Sequence, residues 1–279
     1  MKFSLLTRRT VTTLLLCSFS VWIFAQSNNQ ATEYKPEVGQ EGKDVIWVPT
    51  PDELVKKMLE VAEVTPKDFV VDLGSGDGRT VIAAAKIGAK AIGIEFNPDM
   101  VALSRKKAEE AGVDEKASFI QTDLFEYDLS QATVITMFLL PDINLRLRPK
   151  LLDLKPGTRV VSNTFTMGDW QPDFEVTTSD ESTSWYTALM WIIPAKIEGT
   201  WKLPSGELTV RQEFQMFYGT LKIDKKTASI SEGRITGDVI TFRADGDIYS
   251  GKVSGNKIEG TVTRNSIKSD WSAMLTENK

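Results

Sequence analysis

Between residues 46 and 194 the chain alternates apolar runs with stretches of helical pattern. The runs are rich in Val, Ile, Leu and Phe, as buried strands are, and they read DFVVDL, KAIGIEF, ASFIQT, ATVITMFLL, TRVVSNTF, FEVTTS and WYTALMWII. The stretches between the earlier runs predict helices over residues 79–87, 98–111 and 143–152. Strands that alternate with helices indicate a parallel sheet covered on both faces. Because no helix separates the last two runs, they predict a closing antiparallel hairpin in an α/β domain of seven strands.

From residue 195 onward the pattern changes to short alternating strands punctuated by glycine. About eight strands follow at roughly ten-residue spacing, and the phrase Ile-Glu-Gly-Thr occurs at residues 197–200 and again at 258–261. This pattern predicts a small antiparallel β-barrel or sandwich over residues 195–279. The Gly-Thr-Trp at residues 199–201 resembles the start of the calycin barrels, which implies a calycin-like barrel. A ligand-binding barrel and a merely stabilising or docking module both stay open at this point.

The first 25 residues have the order of a secretory signal. Lys2, Arg8 and Arg9 precede an apolar run over residues 11–24, and Ala25 is a small residue suited to cleavage. The run of about 14 residues is shorter than the roughly 20 that a membrane-spanning helix needs. We therefore expect a signal peptide over residues 1–25, a polar linker over residues 26–45, and an exported chain, periplasmic or secreted. An uncleaved anchor is the alternative, and contact with a membrane is expected only through this segment.

The residue types that the chain lacks narrow its chemistry. There is no histidine, and the one cysteine, Cys17, lies in the N-terminal apolar run. A Ser-His triad, a Cys-His pair and metal sites built on histidine or cysteine are therefore excluded, and no metal is expected. The formal charge of −5 argues against nucleic acid as the main partner, because phosphate binding needs a clustered basic face. Catalysis has to use carboxylates, amides, hydroxyls, lysine or a cofactor.

The segment FVVDLGSGDGRT leads from the first predicted strand through three glycines into a helix. Such a turn brings the backbone close to a ligand and directs helix N–H groups at it. The dinucleotide fingerprint G-x-G-x-x-G would need glycine at position 79, where the chain has Arg79. Asp72 precedes the glycines and Asp77 lies between the second and the third, and their charge would repel a pyrophosphate. A ligand with an ammonium group and a ribose but no phosphate suits these carboxylates, and S-adenosylmethionine is such a ligand.

Two further acids follow the next two predicted strands. Glu95 ends the second strand, where a carboxylate can accept hydrogen bonds from both ribose hydroxyls. Asp123 ends the third strand, placed to accept from the adenine amino group. Asp72, Glu95 and Asp123 thus lie at the carboxyl ends of three successive strands, and together they predict a nucleoside site.

A resemblance to the class I, seven-strand S-adenosylmethionine-dependent methyltransferases is carried by VVDLGSGDGRT, AIGIEFNPDMV and FIQTDLF, within residues 45–194. More narrowly, the chain resembles the ATP synthase c-subunit lysine methyltransferase group and its bacterial relatives in WVPTPDELVKKML, DLGSGDGR and GIEFNPDMVALSRKKA. The resemblance implies a Rossmann-like methyltransferase sheet over residues 46–194, with S-adenosyl-L-methionine as cofactor. The export signal and the added β-domain depart from the group, and they put a mitochondrial type of substrate in doubt.

The resemblance also implies which residues bind the cofactor. They are Pro49, Thr50, Asp72, Gly74, Ser75, Gly76, Glu95, Phe96, Asp123 and Leu124. Asp72 and the glycine loop would line the methionine end, and residues 49 and 50 would close over the methionine carboxylate. Glu95 would bind the ribose, Phe96 would pack near the adenine, and Asp123 would bind the adenine edge.

The acceptor pocket is expected where the fourth and fifth predicted strands end. The fourth ends in FLLPDIN, the fifth ends beside Phe165, and Trp170 lies a little further on. The candidate catalytic residues are Asp142, Asn144 and Asn163. Asp142 is also a candidate N-cap for the helix expected to begin at Ile143.

The expected reaction is transfer of a methyl group to a protein amine (lysine) or a small-molecule acceptor. Transfer from a sulfonium by in-line displacement needs alignment, but no metal and no covalent intermediate. A lysine acceptor has a pKa of about 10.4, which must fall, or a carboxylate must help to remove the proton. The first alternative is a catalytically inactive exported protein of the same fold that acts as a binding module through its β-domain. The second is a nicotinamide dehydrogenase, which the glycine spacing disfavours.

Overall fold

The structure, a computed structural model, describes residues 34–179 and 185–276 of the chain. The predicted signal peptide and the beginning of the predicted linker lie outside the described residues. Within the described ranges, no helix has the length and apolar character needed to cross a membrane. This part of the chain is built around two sheets.

The first sheet has seven strands and is accompanied by four helices in the described residues. Its elements are α1 (Asp52–Val61), β1 (Phe69–Leu73), α2 (Arg79–Ile87), β2 (Lys90–Glu95), α3 (Pro98–Glu110), β3 (Ala117–Gln121), β4 (Val134–Met137), α4 (Pro141–Leu152), β5 (Arg159–Asn163), β6 (Phe174–Thr177) and β7 (Thr187–Ile192). The strand order is β3-β2-β1-β4-β5-β7-β6, with β1 to β5 parallel and β7 antiparallel to both of its neighbours. The predicted α/β fold with seven strands and a closing antiparallel pair is confirmed.

The central strand β1 is buried because helices cover both faces of the sheet. Its alternate side chains enter two different clusters, as the two-residue period of a strand requires. Val70 packs in one cluster with Leu54 of α1 and Val81 of α2, whereas Val71 packs in the other with Leu147 of α4. This packing holds the carboxyl end of β1, and the loop that follows it, in a fixed place.

Helix α4 begins earlier than the sequence predicted. Pro141 occupies its first turn, and Leu140, with an extended backbone (φ −61°, ψ 153°), is the N-cap residue. Proline is well suited to this position because its φ is already helical and its missing N–H would have no partner in the helix. The interpretation of Asp142 as the N-cap was therefore wrong: Asp142 lies inside the first turn and is exposed.

The second sheet is an antiparallel barrel. Its strands are β8 (Gly199–Leu203), β9 (Gly206–Glu213), β10 (Met216–Ile223), β11 (Lys226–Ser229), β12 (Ser231–Thr236), β13 (Val239–Ala244), β14 (Asp247–Ser254), β15 (Lys257–Arg264) and β16 (Ile267–Leu275). They are ordered β11-β10-β12-β13-β14-β15-β16-β8-β9, and β9 also pairs with β10, so that eight strands close and β11 stays outside the ring. The sequence predicted about eight strands here, whereas the described residues form nine, because β11 and β12 are separate strands with only Ile230 between them.

Aromatic side chains fill much of the barrel interior. Trp201 and Phe242 are almost fully buried, and the ring of Phe242 stacks on that of Tyr249 with 4.7 Å between their centroids. These residues belong to one cluster with Ile235, Ile240 and other inward-facing residues of the same strands. The barrel therefore has a packed core of its own.

Polar and aromatic contacts join the barrel to the first sheet. The indole N–H of Trp170 donates to Oε1 of Gln215 at 2.8 Å, and Nε2 of Gln215 donates to the carbonyl of Gln171 at 2.8 Å. The ring of Trp170 stacks on Phe214, with 5.7 Å between centroids. Trp170, expected near the acceptor pocket, is instead fully buried in this contact.

An ion pair crosses the same contact. Arg234 of β12 donates to Oδ1 of Asp173 at 2.5 Å, and Oδ2 of Asp173 accepts from the N–H of Ile192 at 2.8 Å. The side chain of Asp173 is only 2% exposed and that of Arg234 is 42% exposed. Burial raises the pKa of Asp173 above its usual range, although its two partners oppose the shift.

We expect Arg234→Leu to destabilise the protein, because it leaves a buried carboxylate without its cation. The half-exposed position of Arg234 reduces the effect to about 1 to 3 kcal/mol of the free energy of unfolding. The matched control is Arg243→Leu on β13, whose partner Glu232 is 72% exposed, and which should cost less than about 1 kcal/mol. Urea unfolding measures both changes, and equal losses in the two variants would contradict the role given to Asp173.

Candidate functional site

A cavity of about 240 Å³ lies at the carboxyl ends of β1, β2 and β4. Its walls include every residue that was predicted to bind the cofactor. These are Pro49, Thr50, Asp72, Gly74, Ser75, Gly76, Glu95, Phe96, Asp123 and Leu124. The structure thus brings the predicted set together, while the role of each residue stays a prediction.

The glycine loop after β1 needs its glycines for two reasons. Gly74, Gly76 and Gly78 have φ values of 72°, 52° and 80°, in the left-handed region that favours glycine. A Cβ at Gly76 would also lie 2.5 Å from the indole nitrogen of Trp47. The hydroxyl of Ser104 donates to the carbonyl of Gly76 at 2.9 Å and fixes the loop from α3.

Asp72, at the end of β1, is buried, and its Oδ1 accepts from the hydroxyl of Thr136 at 2.6 Å. Burial raises the pKa of Asp72 to about 7. The nearby charges of Glu95 and Asp77 add to this increase, and the hydrogen bond from Thr136 opposes it. The carboxyl group is therefore close to half ionised at neutral pH.

Two backbone N–H groups hold the carboxylate of Glu95. Oε2 accepts from Gly76 at 2.9 Å, and Oε1 accepts from Asn97 at 2.9 Å. Each carboxylate oxygen has a second lone pair, so the group can still accept hydrogen bonds from two hydroxyls of a ligand. The glycine loop and the end of β2 thus orient Glu95 toward the cavity.

Asp123, after β3, is paired with a lysine that the sequence analysis did not identify. Nζ of Lys43 donates to Oδ2 of Asp123 at 2.5 Å and lies 4.8 Å from the centroid of the Phe96 ring. The N–H of Phe125 donates to Oδ1 at 2.9 Å. The hydrogen bond from Lys43, followed by that from Phe125, lowers the pKa of Asp123.

Lys43 belongs to a segment over residues 40–50, here called the strap, which lines the cavity. The strap is held by backbone hydrogen bonds, from Gly39 to the carbonyl of Trp47 at 2.8 Å and from Trp47 to the carbonyl of Gln40 at 2.9 Å. A third bond joins the N–H of Gly42 to the carbonyl of Val45 at 2.9 Å. The last residues of the predicted linker therefore form part of the site, which their polar composition did not reveal.

Asp77 was expected to offer its carboxylate to the ligand, but this carboxylate is paired with cations of the protein. Arg79 donates to both of its oxygens at 3.0 and 2.9 Å, and Lys107 donates to Oδ2 at 2.7 Å. Arg79 also donates to the carbonyl of Thr50 at 2.9 Å. Burial would raise the pKa of Asp77, but these cations outweigh it and the net shift is downward. Asp77 therefore connects the glycine loop to the strap and to α3.

The three candidate catalytic residues lie outside the cavity wall. Asp142 is exposed, whereas Asn144 and Asn163 are fully buried. Nδ2 of Asn144 is within 3.3 Å of the carbonyl of Phe165, to which it donates, and Nδ2 of Asn163 donates to the hydroxyl of Thr50 at 3.3 Å. Phe165 and Thr50 line the cavity. The geometry thus gives the two asparagines a positioning role behind residues that line the cavity.

Three aromatic residues cover one side of the cavity, and they are called the aromatic wall below: Phe138, Phe165 and Trp185. The sequence pattern predicted Phe165 at the acceptor pocket but did not predict Phe138 or Trp185 there. Phe138 directly follows β4, and Trp185 lies two residues before the start of β7. The signal in the sequence that could have identified them was their position at strand ends on the carboxyl edge of the first sheet.

Comparison with known proteins shows close relatives. Residues 72–174 match the ANTKMT methyltransferase domain family. The chain is 44% identical over 152 residues to a protein-lysine N-methyltransferase of Saccharolobus islandicus, a match that covers 53% of this chain and 94% of that protein. It is 44% identical over 105 residues to the ATP synthase c-subunit lysine N-methyltransferase of Mus musculus, which covers 37% of this chain and 42% of the mouse protein. The chain thus spans less than half the length of the mouse relative.

A solved structure is similar as well. It is described as an RNA methyltransferase from Salinibacter ruber in complex with S-adenosyl-L-homocysteine, with 51% sequence identity and a TM-score of 0.51. The match covers 54% of this chain and 96% of that one. The bound molecule is what remains of S-adenosylmethionine after loss of its methyl group.

Ionisation of Asp72 should control cofactor affinity. Burial keeps this carboxyl protonated below about pH 7, whereas the ammonium group of S-adenosylmethionine favours the carboxylate. Binding then releases a proton, so we expect affinity to rise with pH up to about 7 and to level off above it. Calorimetric titration from about pH 5.5 to about pH 8.5 tests this.

Asp72→Asn should remove this pH dependence, and Asp99→Asn, at an exposed position of α3, should keep it. A wild-type affinity that does not change over this range would refute the placement of Asp72 at the ammonium group.

Proposed function

The chain belongs to the S-adenosylmethionine-dependent protein-lysine methyltransferase family, and on this premise we propose that it transfers a methyl group to the side-chain amine of a lysine in a protein. The chain is thus an S-adenosylmethionine-dependent methyltransferase. Two points go beyond this: the acceptor is a lysine side chain of a protein substrate, and the methyl group is transferred directly by in-line displacement.

The charge of the residues that line the cavity is the main support for a lysine acceptor. Among the described residues that line it, six are acidic and only two, Lys43 and Arg79, are basic. Both basic residues are paired with acids of the site, Lys43 with Asp123 and Arg79 with Asp77. The negative field that results attracts a cationic side chain and repels a polyanion.

The residues of the site fit S-adenosylmethionine. Glu95 faces the cavity with a carboxylate already oriented by two N–H groups, which suits two adjacent hydroxyls of a ribose. Gly74 and Gly76 bring backbone without side chains to the cavity wall, as expected where the backbone approaches a ligand closely. Asp72 is available for the ammonium group, and the half-exposed ring of Phe96 for the adenine.

When bound, the cofactor supplies an electrophilic methyl group on a sulfonium. The chain has to orient it and to exclude water from the side where the amine enters. The apolar residues Leu139, Leu140 and Ile143, with the aromatic wall, line that side of the cavity. Removal of a lysine ammonium group from water lowers its pKa, so that it releases one proton to solvent and the neutral amine can attack. The nitrogen–methyl bond forms as the sulfur–methyl bond breaks, and the positive charge passes to the nitrogen.

The reaction mainly requires the protein to align the acceptor amine with the methyl group. A well-oriented pair of reactants can gain about 7 to 11 kcal/mol of barrier reduction over the bimolecular reaction. Asn163 contributes indirectly by holding Thr50, and Asn144 does so by holding the backbone of Phe165. No side chain of the chain has to become covalently modified.

RNA is the competing acceptor, because the Salinibacter ruber structure carries that description. The acidic lining of the cavity and the formal charge of −5 favour lysine over RNA, since RNA binding needs clustered cations. A small-molecule amine is compatible with the same cavity. The alternative of a catalytically inactive exported binding protein has no support in the comparisons.

The compartment remains a proposal that rests on the N-terminal sequence alone. Lys2, Arg8 and Arg9 followed by the apolar run support export, and residues 1–33 lie outside the described part of the chain. The pair Arg8 and Arg9 partly matches a twin-arginine signal. That route exports folded proteins, which could retain a cofactor loaded before export.

Glu95→Ala should lower affinity for S-adenosylmethionine by at least tenfold, because it removes two charge-assisted hydrogen bonds worth roughly 1.5 to 3 kcal/mol each. Glu109→Ala, at an exposed position of α3, is the matched control and should leave affinity unchanged. Calorimetric titration of the full chain measures both. Equal affinity in wild type and Glu95→Ala would remove Glu95 from the site.

The acceptor is tested by incubating the full chain with methyl-labelled S-adenosylmethionine and either a mixture of lysine-rich proteins or a mixture of RNAs. We expect label on lysine side chains, located by mass spectrometry as an added methyl group. Prior acetylation of the proteins should abolish labelling, since an amide nitrogen is not nucleophilic. Label on RNA with none on protein would overturn the proposal.

A further inference from the structure

The three rings of the aromatic wall reach the cavity from different parts of the sheet. Phe138 follows β4, Phe165 follows β5, and Trp185 precedes β7, which is the antiparallel neighbour of β5. All three side chains are half-buried, and all three line the cavity that contains Asp72 and Glu95. Each ring therefore borders the space that a ligand in that cavity would occupy.

The rings contact one another and form a continuous surface. The centroid of Trp185 lies 5.3 Å from that of Phe138 and 5.4 Å from that of Phe165, with interplanar angles of 62° and 53°. Phe138 and Phe165 are nearly parallel, at 20°, with 5.9 Å between centroids. Because the planes of Trp185 and the two phenyl rings are inclined, ring edges meet ring faces within this surface.

Hydrogen bonds fix the backbone that carries Phe165. Its carbonyl accepts from the hydroxyl of Ser162 at 2.8 Å and from Nδ2 of Asn144 at 3.3 Å. The N–H of Thr164 donates to the carbonyl of Thr187 at 2.8 Å and joins the loop to β7. These three hydrogen bonds hold the backbone of Phe165 in a fixed position at the cavity.

We infer that the aromatic wall is the subsite for the alkylammonium end of the acceptor, recognised through cation–π attraction to Phe138, Phe165 and Trp185. The inference rests on the proposed function and deepens it by assigning residues to the acceptor amine. Trp185 is the principal specificity-determining residue, because indole attracts a cation more strongly than a phenyl ring does. It acts on binding of the acceptor and not on the cofactor.

The chemistry of the reaction suits such a surface. The acceptor arrives as a cation and loses one proton to solvent before it attacks, and the methylated product is again a cation once the positive charge has passed from sulfur to nitrogen. An aromatic face attracts a positive charge without competing for the methyl group, as a carboxylate oxygen could. The acidic residues of the cavity add a longer-range attraction for the same charge.

A matched pair of probes tests the subsite: choline, and its neutral isostere 3,3-dimethylbutan-1-ol. Both are titrated into the full chain saturated with S-adenosylhomocysteine, with binding followed by calorimetry. We expect choline to bind at least tenfold more tightly than the neutral alcohol, because only choline carries the charge. Equal affinities would overturn the inference, since shape and apolar area alone would then explain binding.

Three variants locate the effect. Trp185→Leu should weaken choline binding about tenfold, and Trp185→Phe should retain most of it, because a ring face remains. Tyr186→Leu is the control, since Tyr186 is the next residue, is 37% exposed and does not line the cavity. Affinity for S-adenosylhomocysteine should stay within about twofold in all three, which shows that they fold. Should Trp185→Leu fail this check, Phe138→Leu takes its place.

Methyl transfer then separates this inference from the proposed function. If wild type methylates lysine and Trp185→Leu raises KM for the protein acceptor with little change in kcat, both are supported. If Trp185→Leu leaves KM unchanged, the subsite is wrong and the lysine acceptor stands. If wild type binds choline selectively but does not methylate protein lysine, the subsite stands and the acceptor is a different amine.

Discussion

The close approach of backbone at Gly76 is the constraint on which the site depends. Its N–H donates to Glu95, its carbonyl accepts from Ser104, and its α-carbon lies against the indole of Trp47. These three contacts bring together the end of β2, the helix α3 and the strap. A single added methyl group would collide with Trp47 and displace at least one of them. The shape of the cavity therefore depends on the absence of one side chain, in a backbone conformation that only glycine adopts without strain.

The acidic residues around this loop differ in which groups neutralise their charge, and this difference distinguishes their roles. Asp77 is bound by Arg79 and Lys107, so its charge is neutralised within the protein and it serves to hold the loop. Glu95 accepts from uncharged N–H groups, and it keeps its negative charge for a ligand. Asp72 is buried without a cationic partner among the described residues and holds its proton up to about pH 7. A bound ammonium group would supply that partner, which is how burial can make one carboxyl selective for a cation.

The sequence predicted the first sheet well because its signals are local. Buried strands and the helices between them have distinct periods, and the acids at three strand ends follow directly from that assignment. The errors concern contacts between distant segments. Lys43 lies in a polar stretch and Trp47 in a short apolar run that predicts no helix or strand. Only their contacts with Asp123 and Gly76 reveal that they line the cavity. Trp185 was missed because it approaches Phe138 only through the insertion of β7 between β5 and β6. Trp170 was misplaced because its partners, Phe214 and Gln215, belong to the other sheet.

The barrel influences the site through α4, although its own core is packed with its own side chains. Arg148 of α4 stacks over Phe214 of the barrel, with 5.3 Å to the ring centroid, and donates to the carbonyl of Met167 at 2.8 Å. Asn144, four residues earlier, lies on the same face of the helix and holds the carbonyl of Phe165. The packing that fixes α4 against the barrel therefore also fixes the loop that carries part of the aromatic wall. By this route a domain with no described residue in the cavity wall contributes to the position of the aromatic wall, which favours a stabilising role for the barrel over an independent one.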